Sequence, residues 1–252
     1  MNRKLNIDLN CDMGESFGSW KIGDDKQIMP YVSSVNIACG FHAGDPTTMM
    51  HTIALALKHG VHIGAHPGYH DLEGFGRRVI PMEAKEIYNL MIYQLGAIIA
   101  CAKVQGAKLN HVKPHGALYN LAAKNVQTAE AIVDAIYDVD PSLILYGLSG
   151  SELVLAANRK GLTAFNEVFA DRTYQNDGTL TSRSKENAVF KDPQQGVEQV
   201  IHILKTGQVI SVEGVSIPIV ADTICIHGDH EGSLEFAKNI NNALKEHQIA
   251  IR

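Results

Sequence analysis

Apolar residues gather in seven short runs: Leu5 to Asn10, Ser33 to Cys39, Val61 to His66, Leu109 to Lys113, Leu143 to Leu148, Thr163 to Phe169 and Thr223 to His227. Each stops at a glycine, a proline or a charged cluster, the pattern of strands buried on both faces of a parallel sheet. Between them apolar residues recur at the spacing of an amphipathic helix. Met82 to Val104 follows Pro81 with that spacing, and Asp45-Pro46 and Asp192-Pro193 each offer a capping carboxylate and then a proline for the first helical position. The other expected helices are Asp24 to Met29, Pro46 to His59, Val126 to Tyr137, Ser151 to Lys160, Pro193 to Thr206 and Glu231 to Glu246.

An open doubly wound sheet shares this local alternation, but the strand count and a length of 252 residues favour an α/β fold of the parallel (β/α)7-type barrel kind. One interruption is expected. In Gln208 to Val220, Glu213-Gly214 lies between two β-branched runs and predicts a small hairpin before the last strand. With no linker or low-complexity tract, residues 1–252 read as a single domain.

Composition narrows the classes without changing the architecture. Apolar residues are 45% and charged residues 19%, as in an ordinary globular protein, and the net charge of -5 gives no pull toward nucleic acid or an anionic membrane. Cys11, Cys39, Cys101 and Cys225 form no C-x-x-C pair, so they read as reduced, buried thiols. Asn6, Asp8 and Asn10 interrupt the first apolar run, which does not resemble a secretory signal, and no run approaches the ~20 apolar residues of a membrane span. A cytoplasmic location is the expectation.

The chemistry lies at the strand ends, where the loops of a parallel α/β fold converge. Asp12 and Glu15 follow the first strand, His42 and Asp45 the second, and His66, His70, Asp71, Arg77 and Arg78 the third, within GAHPGYHDLEGFGRR. The fourth ends in Lys113-Pro114-His115, the sixth runs into Glu167, Asp171 and Arg172, and the seventh closes with His227, Asp229 and His230. One histidine in a loop means little; this many ionisable strand ends, with glycines beside them, predict one pocket.

Several roles follow, each with a plainer alternative. His66 and His70, four apart, with Asp12, could hold a divalent metal whose bound water ionises near pH ~7; otherwise they hydrogen-bond across their loop. Lys113 could polarise a carbonyl oxygen, or form a buried ion pair with Glu167 or Asp12. His115 has the pKa range for proton transfer. Arg77, Arg78 and Arg172 suit a carboxylate or phosphate, or are solvated loop charges. No H-E-x-x-H, G-x-G-x-x-G or G-x-x-x-x-G-K-[ST] motif occurs, and Ser149 does not sit in a nucleophile elbow.

IDLNCDMGESFG, VNIACGFHAGDP, IGAHPGYHDLEGFGRR, VKPHGALYN and EVFADRTY, in this order along essentially the whole chain, closely resemble the LamB/YcsF family. The resemblance implies a barrel of the glycoside hydrolase/deacetylase superfamily. It also implies an enzyme that opens 5-oxo-L-proline to L-glutamate as ATP becomes ADP and phosphate, together with two further subunits, B and C. In the related polysaccharide deacetylases a metal sits on an aspartate and an H-x3-H motif, which match Asp12, His66 and His70. On this reading Arg77, Arg78 or Arg172, with Glu167, binds the substrate, and Lys113 stabilises charge on the carbonyl oxygen. Asp12, or His66 with His70, activates water, and His115 or His230 protonates the departing nitrogen. A metal-dependent deacetylase acting alone and a noncatalytic lactam-binding subunit are the competing readings.

Overall fold

The computed structural model describes residues 6–228 and 232–252. In chain order the elements are β1 (Asn6–Met13), α1 (Asp25–Ile28), β2 (Ser34–Ala38), α2 (Pro46–His59), β3 (His62–His66), α3 (Ala84–Val104), β4 (His111–Val112), α4 (Gly116–Ala122), α5 (Val126–Val139), β5 (Ile144–Leu148), α6 (Glu152–Lys160), β6 (Ala164–Phe169), α7 (Pro193–Thr206), β7 (Gln208–Ile210), β8 (Ser216–Pro218), β9 (Thr223–Ile226), α8 (Ser233–Glu246) and β10 (Ala250–Ile251).

β1, β2, β3, β4, β5, β6 and β9 pair in that order, all parallel, and β9 pairs back onto β1, so the sheet closes into a seven-stranded barrel. β10 pairs parallel with the start of β1, and β7 with β8 forms the expected hairpin, turning at Gly214 with φ 79. Closure leaves no open edge among the barrel strands.

β1 shows how the sequence makes both faces. Side chains alternate across a strand. Ile7, Leu9, Cys11 and Met13 enter the apolar layer, whereas Asp8, Asn10 and Asp12 point into the barrel. The first strand was expected to end at Asn10; it runs on to Met13, because its polar residues belong to the strand's inner face and not to a loop. The interior is accordingly polar and hydrogen-bonded, as buried polar groups require. Asp8 accepts from Ser33, Ser34 and Thr223, and Asn10 donates to Thr223 and Glu167. Asn36 accepts from His111 Nε2 at 2.7 Å, while the His111 ring stacks on Tyr146.

The helices start and stop where the sequence marks them. Asp45 accepts from Thr48 N at 2.8 Å ahead of Pro46, and Gly60 ends α2 in the left-handed region at φ 68. Asp192 does the same for α7, accepting from Gln194 N. α3 begins two residues after the expected Met82 because Glu83 sits at its cap, its N–H donating to Glu86. With 21 residues and a mean hydropathy of 1.4 over an 18-residue window, α3 reaches the length and apolarity of a bilayer span, against the expectation that no run would. Here Ile87, Leu90, Met91, Leu95 and Ile98 are buried in the protein core. The cysteines are all free, three of them buried.

Candidate active site

The strand register brings the barrel's inner residues to a common level at the mouth. Asp12 pairs with Asn36, Ala38 with His66, and Phe169 with Cys225. β4 is short because Pro114 carries no N–H to continue the ladder, and Lys113 leaves it pointing inward. Lys113 Nζ stands 2.9 Å from Asp12 Oδ1, 2.9 Å from Glu167 Oε1 and 3.0 Å from Cys225 Sγ. Burial works against its charge, but Asp12, Cys225 and Glu167 outweigh it and hold the ammonium well above its usual range. Burial likewise opposes the Asp12 carboxylate, yet His66 and Lys113 keep it well below the usual range.

Beside Asp12 lies a group of histidines. His66 Nδ1 donates to the Lys113 carbonyl at 2.7 Å, and its Nε2 is 3.3 Å from Asp12 Oδ2 and 2.9 Å from His115 Nδ1. His115 Nε2 donates to the Phe75 carbonyl at 2.8 Å. The His42 ring stacks on His115 with centroids 3.7 Å apart. Burial, then the neighbouring imidazoles, push both His42 and His115 well below the ordinary histidine range, so both are neutral near pH 7.

Asp12, His66, Lys113 and His115 form the floor of a cavity of about 420 Å³, whose walls include Phe75, Arg77, Tyr119, Lys124, Phe169, Arg172, Arg183 and His227. His227 Nδ1 lies 2.8 Å from Asp171, and this partner outweighs burial to hold Asp171 at about 2. The buried Arg172 donates to the Ala188 and Thr181 carbonyls, fastening the loop between β6 and α7 across the cavity. Burial and then Arg183 lower the Arg172 pKa to about 10. An apolar-walled hollow with a carboxylate, ammonium and imidazole floor and an arginine-bearing wall suits a small anionic substrate that gains or loses protons.

The LamB/YcsF family model matches residues 7–252. The chain belongs to the LamB/YcsF family. A family relative from Brevibacillus brevis, named as the A subunit of 5-oxoprolinase, is 55% identical over 245 residues, 97% of this chain and 96% of the relative. One of the same name from Geobacillus thermodenitrificans is 54% identical over 246 residues, covering 98% and 96%. Among solved structures, the lactam utilization protein from Thermus thermophilus superposes with a TM-score of 0.93 at 40% identity, over 98% of this chain and 99% of that one. A family 4 carbohydrate esterase from Streptomyces lividans shares the fold alone, with a TM-score of 0.51 at 10% identity over 98% of this chain and 91% of that one.

Within this LamB/YcsF barrel the expected site residues divide. Asp12, His66, Lys113, His115, Arg77 and Arg172 line one cavity. Glu167 is fully buried beneath it, its carboxylate taken by Lys113, Asn10 and Tyr119, so it holds Lys113 and does not face a substrate. Arg78 points away and pairs with Asp71, where the ion pair ties the turn around Gly74. His70 is exposed, stacks on Phe41 and joins neither group of convergent ligand atoms that includes Asp12 or His66. The deacetylase-like ligand set of Asp12, His66 and His70 therefore does not fit a metal here, because loop residues four apart need not share a direction. His230 lies outside the described residues. Glu15 and His42, which follow strands one and two and carry no role on sequence grounds, join the other histidines, Glu15 lining the cavity and His42 buried behind it against His115; GESFG and GFHAG, polar residues held between glycines, are the available signal.

Proposed function

We propose that this chain is the A subunit of an ATP-dependent 5-oxoprolinase, opening 5-oxo-L-proline to L-glutamate with partner subunits B and C. The observation that carries this reading is the pair of relatives bearing that 5-oxoprolinase name, more than half identical over nearly the full length of both chains. The cavity supports it. A five-membered lactam with one carboxylate is small enough for about 420 Å³, and Arg77 and Arg183 on the wall supply cations for that carboxylate.

A lactam carbonyl is a poor electrophile, so transfer of phosphate from ATP to its oxygen makes the ring carbon open to water; breaking the C–N bond then leaves an acyl phosphate, which a second water cleaves to glutamate and phosphate. Lys113, charged and held between Asp12 and Glu167, stabilises negative charge developing on that oxygen. Asp12 orients His66, and His66 with the neutral His115 stands where the pair can take a proton from the attacking water and return it to the ring nitrogen as its bond to carbon breaks. The chain has no Walker-type phosphate loop, so the phosphoryl donor is bound mainly by the partner subunits.

Glutamate release from 5-oxoproline, measured with and without ATP and with and without the two partners, tests this. Release only in the complete mixture, and its loss in Lys113→Ala and His66→Ala, is expected. Unchanged turnover in both variants, or glutamate release without ATP, would refute it.

A further inference from the structure

Two backbone carbonyls fix the protons of the histidine pair. Lys113 O accepts from His66 Nδ1 at 2.7 Å, and Phe75 O accepts from His115 Nε2 at 2.8 Å. A carbonyl has no proton to give, so each ring carries its hydrogen on the outer nitrogen. The inner nitrogens, His66 Nε2 and His115 Nδ1, are left without a fixed proton; they face each other at 2.9 Å, and Asp12 Oδ2 lies 3.3 Å from His66 Nε2. Two lone pairs this close repel unless something positive lies beside them. A third proton would do; so would a metal ion.

The surroundings favour the ion. Glu15 Oε1 lies 3.7 Å from His115 Nδ1 and 3.4 Å from His42 Nε2. One donor atom from each of Glu15, His42, His66 and His115 lies within 4.8 Å of the others, and all four residues are buried. Among the described residues neither ring nitrogen of His42 has a hydrogen-bond partner, a costly state for a fully buried imidazole. A proton shared by His66 and His115 leaves His42 bare, whereas an ion at their junction uses all three rings. Two nitrogens bound at about 2.0–2.1 Å in octahedral or tetrahedral geometry stand about 2.8–3.4 Å apart, a range that includes the 2.9 Å spacing of His66 and His115. Outer N–H groups donating to carbonyls are also how metal-bound histidines are commonly oriented.

The backbone is shaped around these rings. A Cβ on Gly68 would lie 2.8 Å from His42 Nδ1, and one on Gly76 2.6 Å from His42 Cβ and 2.8 Å from His115 Cδ2. The His42 ring lies parallel to that of His115 with centroids 3.7 Å apart, so its Nε2 has to rotate toward the junction to join a shared ion.

We propose that Glu15, His42, His66 and His115 form a binding site for one late first-row divalent cation of the Zn2+ or Co2+ kind. Three imidazoles and a carboxylate suit such ions and not Mg2+ or Ca2+. The site stands on these side chains alone and is independent of which amide the cavity takes. When bound, the ion supplies Lewis acidity beside Asp12 and Lys113 and takes up His66 Nε2 and His115 Nδ1, so proton transfer through those nitrogens belongs to the metal-free chain.

The test uses the full chain, stripped with chelator and dialysed against Zn2+ or Co2+. About one ion per chain by elemental analysis, Co2+ d–d absorption, and a Zn2+-dependent rise in Tm are expected. His42→Ala and His115→Ala should each weaken Co2+ binding about 100-fold or more, with circular dichroism confirming the fold, and His70→Ala should leave it unchanged. Failure of the wild-type chain to retain either ion, or binding that survives His42→Ala and is lost in His70→Ala, would overturn the proposal. Glutamate release by the complete mixture is read separately, so a failed metal test does not decide the 5-oxoprolinase reading.

Discussion

Lys113 and Asp12, 101 residues apart in the chain, meet inside the barrel mouth with Nζ 2.9 Å from Oδ1. Both are buried, and Glu167 shares the same ammonium. Removing the cation leaves two buried carboxylates without their charge partner. Lys113→Ala should therefore lower unfolding free energy by about 3–5 kcal/mol, read from urea denaturation, while also abolishing turnover. A loss below about 1 kcal/mol would show that the carboxylates find other partners.

Gly64 is a packing requirement of the barrel interior. A Cβ there would lie 2.1 Å from His111 Nε2, and His111 is held by Asn36 and by stacking on Tyr146. The ring has nowhere to retreat without breaking these contacts. Gly64→Ala should cost about 1–3 kcal/mol or more by overpacking, measured as a shift in the urea midpoint.

Asp171 makes part of the stability depend on acid. Its folded pKa is about 2, set by His227 against the cost of burial, whereas an unfolded aspartate titrates near 3.8. Because the folded value is depressed, this contribution is fully present above pH ~4 and is lost as pH falls toward 2. Its size is on the order of 2 kcal/mol. Asp171→Asn should be less stable at neutral pH, and the gap from wild type should narrow between pH ~4 and ~2 in denaturant titrations.

The two arginines of the loop over the cavity should separate by phenotype. Arg183 is exposed on the cavity wall, so Arg183→Ala should raise KM for 5-oxoproline about tenfold, with little change in Tm, on loss of a charge-assisted contact of about 1.5 kcal/mol. Arg172 is buried and bonded to the Ala188 and Thr181 carbonyls. Arg172→Ala should loosen this loop, seen as faster proteolysis and faster hydrogen exchange over residues 173–190. Steady-state kinetics and limited proteolysis together check the contrast.

The barrel was legible because its signals are local: apolar runs ending at Gly or Pro, the Asp45-Pro46 and Asp192-Pro193 starts, and Glu213-Gly214 at the hairpin. The short helix α4 was missed, since GALYNLA is too brief to show a period of its own beside Pro114. Strand-end position gathered Asp12, His66, Lys113 and His115 into the one cavity they line. It failed for His70 and Arg78, where a glycine-rich loop turns the chain outward and the spacing holds no record of direction. It also misjudged Glu167, whose position inside β6 gave no sign that Tyr119 and Asn10 would occupy its oxygens.

The pairing of β9 with β1 has a temporal side. Asp12 is synthesised more than two hundred residues before Cys225 and His227, which lie on or just after the strand that shuts the cylinder. Until that strand docks, β1 keeps a bare hydrogen-bonding flank and the Lys113 ammonium lacks its sulfur neighbour. A growing chain thus holds no half-working pocket: competence comes with the final lateral seam, and a truncation before β9 should yield an aggregating, inert fragment.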